Sequence, residues 1–188
     1  MTSTMDTLRI LAVSGSLRAD SYNTALLRAT QRVNPGGMSI EIYEDMVGLP
    51  MYNEDLDTER PLPAVADLRR RVAEADGLLI ATPEHNTSIP AALKSAIDWL
   101  STPPSGFVLA DKPVAIMGAS PGAFGSARAQ LSLRQILASL GSDMVLRPEV
   151  TVFRAHERFD ADGSLTDEFT LSLIKDLLVA LEKRIRRS

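Results

Sequence analysis

The sequence predicts an α/β protein. The expected architecture is a three-layer sandwich, with a five-stranded parallel sheet in the order 2-1-3-4-5 and helices on both faces. Three observations predict it. Short apolar runs alternate with amphipathic segments along the chain, as in consecutive βαβ units. The run Gly77-Leu78-Leu79-Ile80-Ala81 has no polar side chain, the mark of a strand covered on both faces. Small polar turns follow strands one, three and four, and this strand order brings those three turns together at the carboxyl edge of the sheet, beside its switch point.

The elements follow in order. Leu8 to Val13 reads as a buried first strand. The stretch Ser14 to Asn23 is the first polar turn, with Ser21 as a helix N-cap. Its hydroxyls, its Arg18 and the N–H groups of a helix start suit a phosphate, although a capped helix with solvated neighbours accounts for the same residues. Tyr22 to Val33 is the first helix, stopped by Asn34-Pro35-Gly36-Gly37. Met38 to Tyr43 is the second strand. Glu44 to Pro63 is a polar connector long enough to suggest a functional loop. Ala64 to Glu74 is the second helix and Gly77 to Ala81 the third strand.

The second polar turn is Thr82 to Ser88, with Ser88 expected to cap a helix whose first turn holds Pro90. Ile89, Leu93, Ile97 and Leu100 form its apolar stripe, and Lys94 and Asp98 are spaced to pair. Trp99 lies off that stripe, which suits either core or a subunit contact. After a loop, Pro113 to Met117 is the fourth strand, and Gly118 to Gly125 the third polar turn. Ala127 to Leu140 is helical. Asp143 to Leu146 reads as a short fifth strand extended past Pro148 to Phe153. Arg154 to Asp167 is polar and irregular, and Leu171 to Ile185 is an amphipathic terminal helix.

Composition narrows the function. The 188 residues are 45% apolar, which fits a single globular domain with a substantial core. A net charge of −4 with no basic stripe argues against nucleic acid as a partner. No apolar run is long enough for a membrane span, and Met1 to Thr7, which lacks a signal core, reads as a frayed leader, so a cytoplasmic location is expected. The chain has no cysteine, which excludes thiolate nucleophiles, disulfides and sulfur ligands. It has only two histidines, His85 and His156, so a three-histidine metal site is excluded. Asp45, Asp55 and Asp57 read as a solvated loop, and no metal is expected. Any redox chemistry must sit on a bound cofactor. The chain also lacks Gly-x-Gly-x-x-Gly, a Walker loop and a Gly-x-Ser-x-Gly elbow.

Three motifs in register then carry a resemblance. Gly15-Ser16-Leu17-Arg18 is followed by Ser21 and Asn23. Thr82-Pro83-Glu84-His85-Asn86 is followed by Ser88-Ile89-Pro90, Leu93-Lys94 and Ala96-Ile97-Asp98-Trp99-Leu100-Ser101. Gly118-Ala119-Ser120-Pro121-Gly122 is followed by Gly125, Arg128, Gln130 and Leu133-Arg134-Gln135. From about Leu8 to Pro148 the chain resembles the NADPH-dependent FMN reductases, in particular their quinone-, chromate- and azo-dye-reducing members. It departs from them at His85, where the family usually has tyrosine, and at Ala91-Ala92, where relatives often carry glycine.

The resemblance implies a flavodoxin-like fold with FMN as cofactor and NADPH, or NADH, as hydride donor. It places Ser16, Arg18, Ser21 and Asn23 at the FMN phosphate, with Tyr22 beside them. Pro83, Glu84, His85 and Asn86 would lie along the isoalloxazine, and Ser120, Pro121 and Gly122 would close its other side. No catalytic side chain is implied, and Glu84 is expected to be structural. The partners implied are a quinone or similar small-molecule electron acceptor and further copies of the chain, as a homodimer or homotetramer with Arg128 at the contact. Two other readings fit the same residues: a flavodoxin-like electron carrier, and an FMN-binding protein without catalysis.

Overall fold

A computed structural model describes residues 7–187, so all but the last residue of the expected leader lie outside the described residues. Strand β1 (Leu8–Ser14) leads to helix α1 (Tyr22–Val33) and β2 (Met38–Tyr43). Two 3-10 turns occupy the following connector, before α2 (Pro63–Glu74) and β3 (Gly77–Ala81). Then come α3 (Ala91–Leu100), β4 (Pro113–Ala119) and α4 (Ala127–Ser139). The chain ends with β5 (Asp143–Met144), β6 (Val150–Val152) and α5 (Glu168–Ile185).

The sheet runs β2-β1-β3-β4-β5 and its pairs are parallel, as expected, with β6 also paired to β4. The fifth position differs from expectation. It is two short strands on the same side of β4, separated by residues 145–149. Pro148 stands in that gap, and proline has no N–H to give a ladder.

Alternation along the strands divides the core. Ile10 and Ala12 of β1 pack with Leu26 and Leu27 of α1 and with Ile174, Leu178 and Leu181 of α5. Leu11 and Val13 face the other way, onto Leu68 and Val72 of α2, Leu93 and Ile97 of α3, and Leu133 and Leu137 of α4. Burial on both faces makes β3 and β4 apolar throughout. Among the described residues no helix is long and apolar enough to cross a membrane.

Two local expectations are corrected. Ser88 does not cap α3: Pro90 holds the N-cap position, and no side chain caps that end. Instead Ser88 and His85 exchange backbone hydrogen bonds of 2.9 and 3.0 Å around a two-residue turn. Asn86 and Thr87 in that turn have φ of 49° and 67°, a left-handed conformation that strains the β-branched Thr87. Trp99 is not a subunit contact. It is 0% exposed, donates its Nε1–H to Pro50 O at 2.9 Å, and meets the Tyr52 ring edge-on.

The connector after β2 is strapped down by that same region. Asp57 pairs with Arg69 at 2.7 Å, both side chains buried, and Arg69 also donates to Trp99 O from Nε and Nη2. Ser95 Oγ accepts from Tyr52 N–H at 2.7 Å and donates to Pro50 O. Asp57 is thus consumed by an ion pair. Lys94 and Asp98 pair at 2.6 Å on the surface, as their spacing predicted.

Candidate functional site

The three polar turns converge because their strands are neighbours at the carboxyl edge. Ser14 is in register with Ala81, and Ala81 with Met117. The ladder continues one residue into each turn: Gly15 N–H donates to Ala81 O at 2.8 Å, and Thr82 N–H to Met117 O at 3.0 Å.

Side chains then lock the turns to one another. Asn23 is buried at the start of α1; its Nδ2 donates to Ala119 O at 3.0 Å and its Oδ1 accepts from Ala119 N–H at 2.9 Å. One amide therefore ties the first turn to the third. Glu84 ties the second turn to α4. Its carboxylate accepts from Arg128 N–H at 3.0 Å, from Arg128 Nε–H at 2.7 Å and from Ala129 N–H at 3.4 Å. The helix N-terminus favours that negative charge, and Glu84 serves where Ser126 makes no side-chain cap. Arg128 has its guanidinium carbon 4.9 Å from the centre of the exposed Phe124 ring.

The close approach of the turns also requires small residues. A Cβ at Gly118 would collide with Ser126 Oγ and the Thr82 carbonyl. At Gly125, φ is +59° and a Cβ would lie 2.6 Å from Thr151 Cγ2. Thr82, Ser126 and Gln130 were not singled out from the sequence as site residues, yet all three are buried under the third turn. Gln130 Nε2 donates to Val150 O at 2.9 Å and to Ser126 Oγ at 3.1 Å, holding α4 to β6. Gln130 stands in the third motif, but the motif does not show what it bonds, because Val150 is 20 positions away in sequence.

The residues expected at a phosphate divide into two groups. Ser21 caps α1, accepting from Asn23 N–H at 3.2 Å and Thr24 N–H at 3.4 Å, and Asn23 is spent on Ala119. Tyr22 packs against Phe159, with ring centres 5.2 Å apart. These three build the turn. Ser16 and Arg18 face outward: Ser16 Oγ accepts only a 3.4 Å bond from Arg18 N–H, and the Arg18 guanidinium donates to Asp20 O at 3.2 Å. Among the described residues the backbone N–H groups of Leu17, Ala19 and Asp20 have no protein acceptor. Free N–H groups beside a helix start and an exposed guanidinium form a cradle for a phosphate.

Around the other two turns, Pro83 and Ser120 are partly buried, while His85, Asn86, Pro121 and Gly122 are exposed. Ser120 N–H donates to Val152 O at 3.0 Å, and its Oγ accepts from Gly122 N–H at 3.2 Å. They make an open shelf rather than a closed cavity, which suits a flat ring with one face left for a second molecule. The residues present fit a phosphate-bearing ring cofactor. At the end of β2, burial, with Asp45 and Asp67 adding to it, pushes Tyr43 up to about 12, so its hydroxyl stays protonated.

Residues 8–157 match the family model described as NADPH-dependent FMN reductase. An NAD(P)H-dependent FMN reductase of Pseudomonas aeruginosa is 46% identical over 182 residues, covering 97% of each chain. A 2-hydroxy-1,4-benzoquinone reductase of a Burkholderia species is 40% identical, covering 91% of this chain and 92% of the relative. The solved structure of the flavoenzyme NAD(P)H:(acceptor) oxidoreductase of Paracoccus denitrificans superposes with a TM-score of 0.85 at 34% identity, covering 96% of this chain and 98% of that one.

Proposed function

The chain belongs to the NADPH-dependent FMN reductase family, and on that premise we propose that it takes electrons from NAD(P)H through FMN bound at the three turns and passes them to quinones. The observation that carries this reading is the first turn, whose unsatisfied N–H groups and exposed Arg18 await an anion within a frame already locked by Asn23 and Glu84. When bound, FMN supplies the chemistry: it accepts a hydride and gives up two electrons. The protein's work is positional. Ser16 and Arg18 hold the phosphate, and Leu17, Ala19 and Asp20 add their N–H groups. Pro83 to Asn86 and Ser120 to Gly122 set the plane of the ring. No side chain is assigned to move a proton.

One shelf serves both partners of the reaction in turn, so steady-state kinetics are ping-pong. The further parts of the reading are a homodimer or homotetramer, supported by the exposed Phe124 and Leu131, and a cytoplasmic location, where reduced nicotinamide is supplied. Light scattering that returned a monomer at micromolar concentration would remove the first.

The deciding experiment has two stages. Titration with FMN and riboflavin comes first, and FMN is expected to bind much more tightly; equal affinities would remove the phosphate site. Anaerobic stopped-flow mixing of the FMN-loaded protein with NADPH, then with benzoquinone, comes second. The visible flavin absorbance is expected to fall and then return. Flavin that stays oxidised with both NADPH and NADH would make the protein an electron carrier or a binding protein instead.

A further inference from the structure

Beside the first turn, on the side away from the shelf, lies a cavity of about 240 Å³ between α1, the carboxyl end of β2 and the start of the connector. Its polar lining is Ser14, Ser16, Arg18, Thr24, Arg28, Tyr43 and Glu44. Arg28 stands out among them. Among the described residues its guanidinium has no hydrogen bond, ion pair or ring contact. It is four residues after Thr24, so both lie on one face of α1, and Thr24 Oγ1 points into the turn with a 3.0 Å bond to Ser14 Oγ.

Arg18 also lines the cavity but is assigned to the FMN phosphate, so with FMN bound Arg28 is the one guanidinium left to it, beside a single lining carboxylate, Glu44. A guanidinium without a protein partner is open to an anion, and its forked N–H donors match the oxygens of a phosphate monoester. Leu17, Met46 and Val47 add an apolar wall, the surface against which a base or a sugar ring rests. The FMN phosphate is served at the start of α1, by the turn itself. Arg28 is seven residues past the N-cap Ser21, about 10 Å further along the helix axis at 1.5 Å per residue, so a second phosphate is the better match. The cavity is small beside the several hundred Å³ of a typical cofactor site, which suits one end of a dinucleotide whose remainder crosses the turn to the shelf.

We propose that this cavity takes the phosphorylated ribose of NADPH, with Arg28 bonding the 2′-phosphate and thereby favouring NADPH over NADH. The proposal rests on the FMN and NAD(P)H reading given above. The test is calorimetry on the FMN-loaded protein with 2′,5′-ADP, which carries that phosphate, and with 5′-AMP, which lacks it. The wild type is expected to bind 2′,5′-ADP more tightly. Arg28→Ala, at an exposed helical position, is expected to weaken 2′,5′-ADP about tenfold or more and to leave 5′-AMP and FMN unchanged. In turnover the same variant is expected to raise the KM for NADPH and not that for NADH. Equal binding of the two nucleotides by the wild type would overturn the proposal with the flavin reading intact. Loss of FMN affinity in Arg28→Ala would also overturn it, by assigning the guanidinium to the FMN phosphate. A wild type that took up no FMN would remove the flavin reading and this proposal together, before any nucleotide was added.

Discussion

Two polar loops follow neighbouring strands and have opposite fates. The connector from Glu44 to Leu62 has exposed acidic residues, but it anchors itself through buried polar contacts: Asp57 on Arg69, the Pro50 carbonyl on Trp99 and Ser95, and the Tyr52 N–H on Ser95. The turn from Ser14 to Ser21 leaves Leu17, Ala19 and Asp20 N–H groups and most of the Arg18 guanidinium without protein partners. By composition both are runs of polar and turn-forming residues. The difference is what lies beneath. The connector crosses the outer surface of α2 and α3, where buried Arg69, Ser95 and Trp99 offer partners. The turn stands at the sheet edge, above strand ends whose own ladder is already complete. Satisfied polar groups hold a fold together, and unsatisfied ones arranged in a rigid frame await a ligand.

This contrast can be broken by separating stability from binding. The largest effect is expected from Asp57→Ala, which strips a charge partner from a guanidinium buried with it. Removing one member of a buried pair costs several kcal/mol, and with the Trp99 carbonyl still bound to Arg69 we expect about 3 kcal/mol. Urea unfolding would measure it, and FMN affinity of the folded variant should stay within about twofold of the wild type. A matching fall in FMN affinity would show that connector and turn are not independent.

Arg18→Ala is the converse. On the proposed FMN site it removes one charge-assisted contact to the phosphate, so FMN affinity should fall about ten- to a hundredfold, while the urea midpoint holds. Unchanged FMN affinity would leave the backbone N–H groups as the whole phosphate site.

A third polar cluster, remote from the turns in sequence, sharpens the comparison with the smallest effect. Asp167 caps α5. Thr170, through its hydroxyl and then its N–H, and next Arg158, hold its carboxyl below the usual carboxylate range. A depressed folded-state value means stability that is present above about pH 4 and is lost as pH falls through the folded value. Asn is a comparable N-cap, so Asp167→Asn should cost only about 0.3–1 kcal/mol near neutrality. That difference should close as pH drops below about 4. Urea midpoints across that range would check it; a difference independent of pH would show that the charge contributes nothing.

Much of this was legible from residue order alone. Apolar runs such as Gly77 to Ala81 and the i, i+3, i+4 stripes reported strands and helices, because period is a local property of the chain. The alternation of those elements implied a parallel sheet, and in a flavodoxin-like strand order the three turns meet at one edge. The family motifs lie on those same turns, which the fold brings to one edge of the sheet.

Tertiary structure decided what each polar side chain is for. Asn23 and Ser16 lie in one motif, yet Asn23 is consumed by Ala119, 96 positions away, and Ser16 is left facing outward. Ser88 had the composition of a helix cap, but the strained turn through Asn86 and Thr87 claimed its backbone first. Trp99 was ambiguous on its helix until Pro50 and Tyr52 folded over it. The physical reason is the same in each case. Secondary structure follows from interactions within a few residues, whereas the state of a donor or acceptor depends on whichever distant atom the fold brings to 3 Å from it.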